Sequence, residues 1–293
     1  MAAEAGSVSV TVEPLDAPLG AVLTGVDTQS PLSDADFQVI EQALLDHLAI
    51  VIADVEDDLD WLLDVGRRFG PLTPHILTRF HHPKTPEMSV ITANMDNAES
   101  RETARPAGAF WHSDLSYCRD PSDAIFLYAT HVPSDGGDTL IANTQRAYEA
   151  LSAPRRKAIE GLTATHRYGW RGKGAITEPD AERRAQYPDV VHSVVRVHAR
   201  TGRRSLFVNP GYTVCINGLP GDESDAILGE LYGHMQAPEF CYRHRWAVGQ
   251  LVAIDNRATL HCAIADYQEP MRKLRMIVGC TERATPGAGN LLN

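Results

Sequence analysis

A histidine and an aspartate one residue apart, in Trp111-His112-Ser113-Asp114, with a second histidine far downstream at His261, most constrain what this chain can fold into. Side chains alternate along an extended segment, so a His-x-Asp pair projects both groups from one face of a strand. Joined by His261, the pair makes a 2-His-1-carboxylate set. Such a triad grips Fe(II) by one face and leaves the remaining positions open. Zinc accepts the same donors, so a zinc hydrolase or a cupin-like isomerase stays open at this point, as does a non-catalytic binding protein. A lone H-x-D arises by chance in many chains, and with twelve histidines in the sequence most must serve elsewhere. The weight rests on its company. Arg272 follows His261 by eleven residues, and its planar fork could meet a dicarboxylate beside the metal. Thr139 offers a hydroxyl for the same carboxylate, although β-propensity alone would also explain a threonine there.

Composition narrows the class. At 293 residues the chain can bury a large core within one domain, here expected over 1–293. A net charge of −11 argues against non-specific nucleic-acid binding, which rests on Lys and Arg neutralising phosphates. It leaves room for an anionic small molecule in a locally basic pocket. The five cysteines, Cys118, Cys215, Cys241, Cys262 and Cys280, are odd in number, scattered and without a C-x-x-C, as reduced thiols of a cytoplasmic protein would be. The N-terminal residues lack a basic and an apolar region, and no long apolar run occurs, so neither export nor membrane spanning is expected.

Along the chain, Ser7 to Val12 alternates like a strand. Ser33 with Asp36 resembles a capping box opening a helix through Phe37, Ile40, Leu44 and Leu48. Ala49 to Ala53 is a short buried strand, and Leu59 to Phe69 a helix stopped by Gly70-Pro71. Further strands are predicted at Ile125–His131, Thr139–Ala142, Gln250–Ile254, Leu260–Ala263 and Leu274–Gly279. Val194–His198 and Ser205–Asn209 read as a hairpin, and helices fit Thr144–Leu151, Pro154–Leu162 and Glu223–Met235. Two polar stretches of weak periodicity, 94–109 and 169–188, are lid candidates. Strands dominate both motif-bearing regions, which predicts a mainly β fold, a β-sandwich core with helical decoration.

Several segments now match a known pattern together. Trp111 to Tyr117, Gly136-Gly137-Asp138-Thr139-Leu140, Asp255-Asn256-Arg257 with His261, and Asp266-Tyr267 before Arg272 resemble the taurine/2,4-D dioxygenase family of Fe(II)/2-oxoglutarate-dependent dioxygenases. Arg68-Phe69-Gly70, Pro133, His192 to Arg196 and Leu206 to Asn209 extend the likeness over roughly residues 8 to 282. The resemblance implies a double-stranded β-helix, or jelly-roll, core. It implies His112, Asp114 and His261 as ligands of Fe(2+), and Thr139 and Arg272 as contacts of 2-oxoglutarate. O2 is the second co-substrate, and hydroxylation releases succinate and CO2. Asp114 weighs against halogenation, because iron halogenases of this fold lack the acidic ligand. A homodimer acting on a small molecule, with no nucleic-acid or membrane partner, is expected.

The substrate is less legible. Sulfonate and carboxylate hydroxylases of the family hold the substrate anion with a second arginine, four residues after the first. Here Arg275 follows Arg272 by three. Along a strand that departure flips the side chain to the other face, unless a bulge restores it. His75 lies about where the family's taurine-oxidising members hold a sulfonate. Tyr117 and Tyr212 are expected to contact substrate, and Phe110, Tyr168 and Trp170 could line the pocket or simply fill the core. A small polar anion, a sulfonate, phosphonate or carboxylate, is the expected substrate, although converging aromatic rings would also suit a quaternary ammonium.

Overall fold

In a computed structural model of the chain, residues 10–93, 108–172 and 181–280 are described. Most of the first predicted lid and the middle of the second therefore lie outside the described residues, as do Ser7 to Ser9. The described end of the second lid carries a short helix, Ala181–Gln186, where the sequence predicts a loop.

Ser33 opens the helix Asp34–His47. Its Oγ accepts the Asp36 amide at 3.0 Å and donates to the Asp36 carboxylate at 2.7 Å, which satisfies one of the orphan donors of the first turn. Asp58 caps Leu59–Phe69 in the same way, and that helix ends at Gly70, whose φ of 150° strongly favours glycine. Both helices press apolar faces on one side of a large sheet, where Ile40, Leu44, Trp61, Leu62 and Val65 meet Phe126, Leu274 and Met276.

That sheet has eight strands in the order Thr11–Pro14, Ala21–Thr24, Ala49–Ile52, Leu251–Asp255, Ala124–His131, Met271–Val278, Thr85–Ala93 and His81–His82. Its central strands are apolar on both faces because both faces are covered. Phe126 and Tyr128 face the helices, whereas Ile125 and Leu127 point inward. A smaller sheet, Cys241–His244, Thr139–Asn143 and Thr259–Ala263, lies across that interior. Its inner face contributes Ile141 and Tyr242 to the shared core with Leu127, Val252 and Ile277. Its outer face, with Ala142 and Leu260, packs near Leu228, Leu231 and Met235 of the helix Gly221–Met235. Two facing sheets with helices outside make the mainly β, double-stranded β-helix core that the sequence predicts.

One boundary bears on the site. The last strand begins at Met271 rather than Leu274. Arg272 and Lys273 interrupt the apolar pattern, yet both continue the ladder, opposite Thr92 and Ile91 of the neighbouring strand. The first strand likewise runs Thr11–Pro14. The long strand Thr85–Ala93 has no clear sequence signal, because Pro86 and Glu87 blur its alternation. Among the described residues, no helix is long and apolar enough to cross a membrane.

Candidate active site

The chain holds His112 and His261 together by main-chain bonds. The His112 amide donates to the His261 carbonyl at 3.0 Å, and the His261 amide returns the bond at 2.8 Å. The two imidazole centroids lie 4.2 Å apart. Asp114 follows on the same side of the segment, with Oδ1 3.5 Å from His112 Nε2. One donor atom from each of the three lies within 4.8 Å of the others, and all three residues are buried.

A side-chain hydrogen bond fixes the first donor. His112 Nδ1 donates to the Phe110 carbonyl at 2.7 Å, which leaves Nε2 as the free donor atom. His261 Nδ1 is buried with no hydrogen-bond partner among the described residues. Burial, then His112, lowers the His261 pKa to about 3 and keeps the ring neutral, the form that binds a metal. For Asp114, burial favours the protonated form. The charge of Arg275, with His112 and His261, overrides burial and holds the carboxylate well below the usual range. Two imidazoles and one carboxylate on a buried, one-sided cluster fit Fe(II).

Asn256 ties this segment to the sheet. Its Oδ1 accepts the Asp114 amide at 2.9 Å, and its Nδ2 donates to the Asp114 carbonyl at 2.8 Å and the Ser122 carbonyl at 3.0 Å. Ser113 Oγ donates to the Asn256 carbonyl at 2.9 Å. Directly after Asp114, Leu115 sits at φ 57°, an uncommon conformation for a leucine and a sign of a tightly determined turn.

Arg275 points into the interior, with Nη1 3.3 Å from Asp114 Oδ2 and Nε buried without a partner among the described residues. His75 feels this arginine. Burial first, then Arg275, lowers its pKa to about 4. The Leu77 amide donates to His75 Nδ1 at 3.0 Å, which favours the tautomer with the ring proton on Nε2. The ring of Tyr212 lies 6.1 Å from His112 and 4.7 Å from Tyr117. Tyr168 and Tyr187 join Tyr117 at 5.0 and 6.0 Å. Phe110 packs 4.6 Å from His112, and Gly211 has no room for a Cβ against the Phe110 ring. Trp170 makes no ring contact with this wall among the described residues. Tyr187 and Arg171, whose guanidinium lies 4.2 Å from the Phe110 centroid, carry no sequence signal and are found only in three dimensions.

Thr139 faces the same interior and accepts a hydrogen bond from Trp246 Nε1 at 3.0 Å. Arg272 does not join it. The ladder with Ala124–His131 shifts between Arg272 and Lys273, with the extra residue, Thr130, on the neighbouring strand. The last strand therefore keeps strict alternation against Thr85–Ala93. Arg272 shares the helix-covered face with Leu274 and Met276, and its Nη1 donates to Thr130 Oγ1 at 3.1 Å. The sequence expects Arg272 at the co-substrate; in this register Arg272 and Arg275 are three apart and face opposite sides.

With this geometry in hand, comparison with known proteins is specific. A model of the taurine catabolism dioxygenase TauD, TfdA family matches residues 11–281. The chain is 32% identical over 267 residues to the α-ketoglutarate-dependent 2,4-dichlorophenoxyacetate dioxygenase of Cupriavidus pinatubonensis, covering 86% of this chain and 91% of that one. It superposes on a taurine dioxygenase from Burkholderia xenovorans with a TM-score of 0.81 at 30% identity, over 96% and 93% of the two chains. It is also similar to AAD-2, solved with Mn(II) and N-oxalylglycine, at a TM-score of 0.78 and 25% identity over 94% and 100% of the chains. A fold, a buried His-Asp-His cluster and a family match over nearly the whole chain thus agree: this protein belongs to the TauD/TfdA family and is an α-ketoglutarate (2-oxoglutarate)-dependent, non-haem Fe(II) dioxygenase.

Proposed function

We propose that His112, Asp114 and His261 hold the Fe(II), and that the enzyme hydroxylates a small organic anion gripped by Arg275 and His75 beneath the tyrosine wall. The convergence of the triad with Arg275 in one buried cluster carries this reading. Fe(II), with 2-oxoglutarate and O2, supplies the oxidative decarboxylation that releases succinate and CO2 and the oxidation of a substrate C–H bond.

The chain's own residues do the rest. His112 is oriented by its bond to the Phe110 carbonyl, and Asp114 by Asn256. Arg275 neutralises Asp114 in part and keeps its Nε, without a partner among the described residues, for an incoming anion, whose desolvation needs such a charge. His75 Nε2 adds a neutral donor. Tyr117, Tyr168 and Tyr212 present apolar faces, which suit a substrate with an aromatic or apolar body and exclude water from the reacting carbon. The similar proteins named for 2,4-dichlorophenoxyacetate and taurine take a carboxylate and a sulfonate, which supports an anionic substrate.

The test is succinate release across small sulfonates, phosphonates, aryloxyacetates and betaines. Turnover strongly enhanced by anions, aryloxy acids foremost, is the expected result. A preference for cationic or neutral compounds would remove Arg275 from substrate binding and leave the tyrosines as the determinants.

A further inference from the structure

Lys273 is a lysine where a lysine is costly. It is 5% exposed, on the inner face of the last strand, two residues before Arg275. An ammonium has three donors. Among the described residues this one makes a single long hydrogen bond, to the Gly137 carbonyl at 3.4 Å, and lies 4.0 Å from the centroid of the Trp246 ring. The nearby carboxylate, Asp138, is taken by Arg243 Nε at 2.5 Å. No ion pair joins Lys273 to a carboxylate among the described residues. A buried cation so poorly satisfied calls for an anion.

Its neighbours point to which one. Trp246 touches both Lys273, through its ring face, and Thr139 Oγ1, through its indole N–H at 3.0 Å. Because Thr139 Oγ1 accepts that bond, its own hydroxyl hydrogen is free to donate elsewhere. The strand ladders set the distance. Ile141 pairs with His261, and Thr139 pairs with Ala263, two residues further along. Lys273 stands two residues from Arg275, which touches Asp114. On both sheets the step away from the metal cluster is two residues, roughly 7 Å at the rise of a strand. A five-carbon dicarboxylate spans a comparable distance from its oxo-acid end to its far carboxylate.

We propose that Lys273, with Thr139 and the Trp246 indole that orients it, binds the distal carboxylate of 2-oxoglutarate, the task that the family resemblance implies for Arg272. This rests on the reading of the His112, Asp114 and His261 cluster as the iron site. Burial lowers the Lys273 pKa to about 7, opposed by Asp138, so the free pocket holds a weakly charged amine that a bound carboxylate recharges. Arg272, on the other face, plays no part in this contact.

The experiment uses the full-length protein loaded anaerobically with Fe(II). Binding is read from the visible charge-transfer band and, independently, from thermal stabilisation by N-oxalylglycine. Lys273→Met is expected to raise the 2-oxoglutarate concentration for half-saturation by about a hundredfold or more, the scale of losing one partner of a desolvated charge pair. It should leave binding of 2-oxopentanoate, which lacks the distal carboxylate, unchanged. A misfolded variant would lose both ligands, so the ratio of the two isolates the contact. Lys273→Arg should restore the preference for the dicarboxylate, and Arg272→Ala should keep it. Wild-type preference retained in Lys273→Met, or lost in Arg272→Ala, overturns the assignment. A wild-type protein that develops no band at all overturns the reading of the iron site instead.

Discussion

The two ends of the pocket are built differently. The metal end is held by reciprocal main-chain bonds between His112 and His261 and by the Asn256 clamp on Asp114. Each candidate ligand is positioned by a hydrogen bond or a strand pairing that needs no substrate. The distal end has one threonine, one indole and one amine with a single long hydrogen bond. The difference teaches where binding energy is stored. The first region is tied in place by the protein's own hydrogen bonds, whereas the second holds an unsatisfied charge that a ligand completes.

Replacing a ligand should have the largest effect on this contrast. Asp114→Ala or His261→Ala is expected to abolish succinate release and iron retention together, since two donors hold iron poorly; near-normal turnover at low added iron would break the assignment. Next, Arg275→Ala should raise the substrate KM about a hundredfold or more while substrate-free decarboxylation of 2-oxoglutarate persists. Loss of 2-oxoglutarate binding instead would move Arg275 to the co-substrate. Asn256→Ala strands the Asp114 amide and two carbonyls in the core. It should cost about 1–3 kcal/mol for each buried group left unpaired, seen in chemical denaturation, and it should weaken iron binding. An unaltered denaturation midpoint would mean that water replaces the clamp.

The distal end should show a smaller and pH-dependent response. Lys273 titrates near 7 when the pocket is free, and a carboxylate partner raises that value. The groups facing it, Asp138 and His244, are respectively paired to Arg243 and held neutral, burial lowering the His244 pKa to about 4. Affinity for 2-oxoglutarate should therefore be full below about pH 7 and fall as pH rises above it, by at most about tenfold per unit. Calorimetry should register proton uptake on binding near pH 8, and a flat profile would mean that Lys273 is already fully charged. Trp246→Phe keeps the ring under Lys273 but loses the bond to Thr139. It should weaken 2-oxoglutarate about threefold to tenfold, the worth of one hydrogen bond.

Much of the metal end was legible without coordinates. His112 and Asp114 are two positions apart, and the period of an extended chain puts both on one face wherever the strand lies. The helix opening at Ser33 was legible for a similarly local reason, a capping side chain next to a helical pattern. Of the distal end only Thr139 was legible, through the family resemblance. Thr139 is the first residue of its strand, and Trp246 sits in a loop after Cys241–His244, so neither advertises its neighbour. Tyr187 reaches the tyrosine wall only because the chain folds back there.

The sequence by itself determined that this is one mainly β dioxygenase, and it supplied three candidate iron ligands, a threonine and basic residues near the last strand. Those facts reside in residue identity and in spacings of a few residues. Only the tertiary structure decided which basic residue faces which way. Arg272, Lys273 and Arg275 lie on one strand whose start the apolar pattern misplaces, and a shift of one residue exchanges its two faces. The ladder opposite Thr92, Ile91 and Ser89, with the extra Thr130 absorbed by the neighbouring strand, sends Lys273 and Arg275 inward and Arg272 toward the helices. That choice is made by pairing across the sheet, between residues far apart in the chain, where local sequence has no voice.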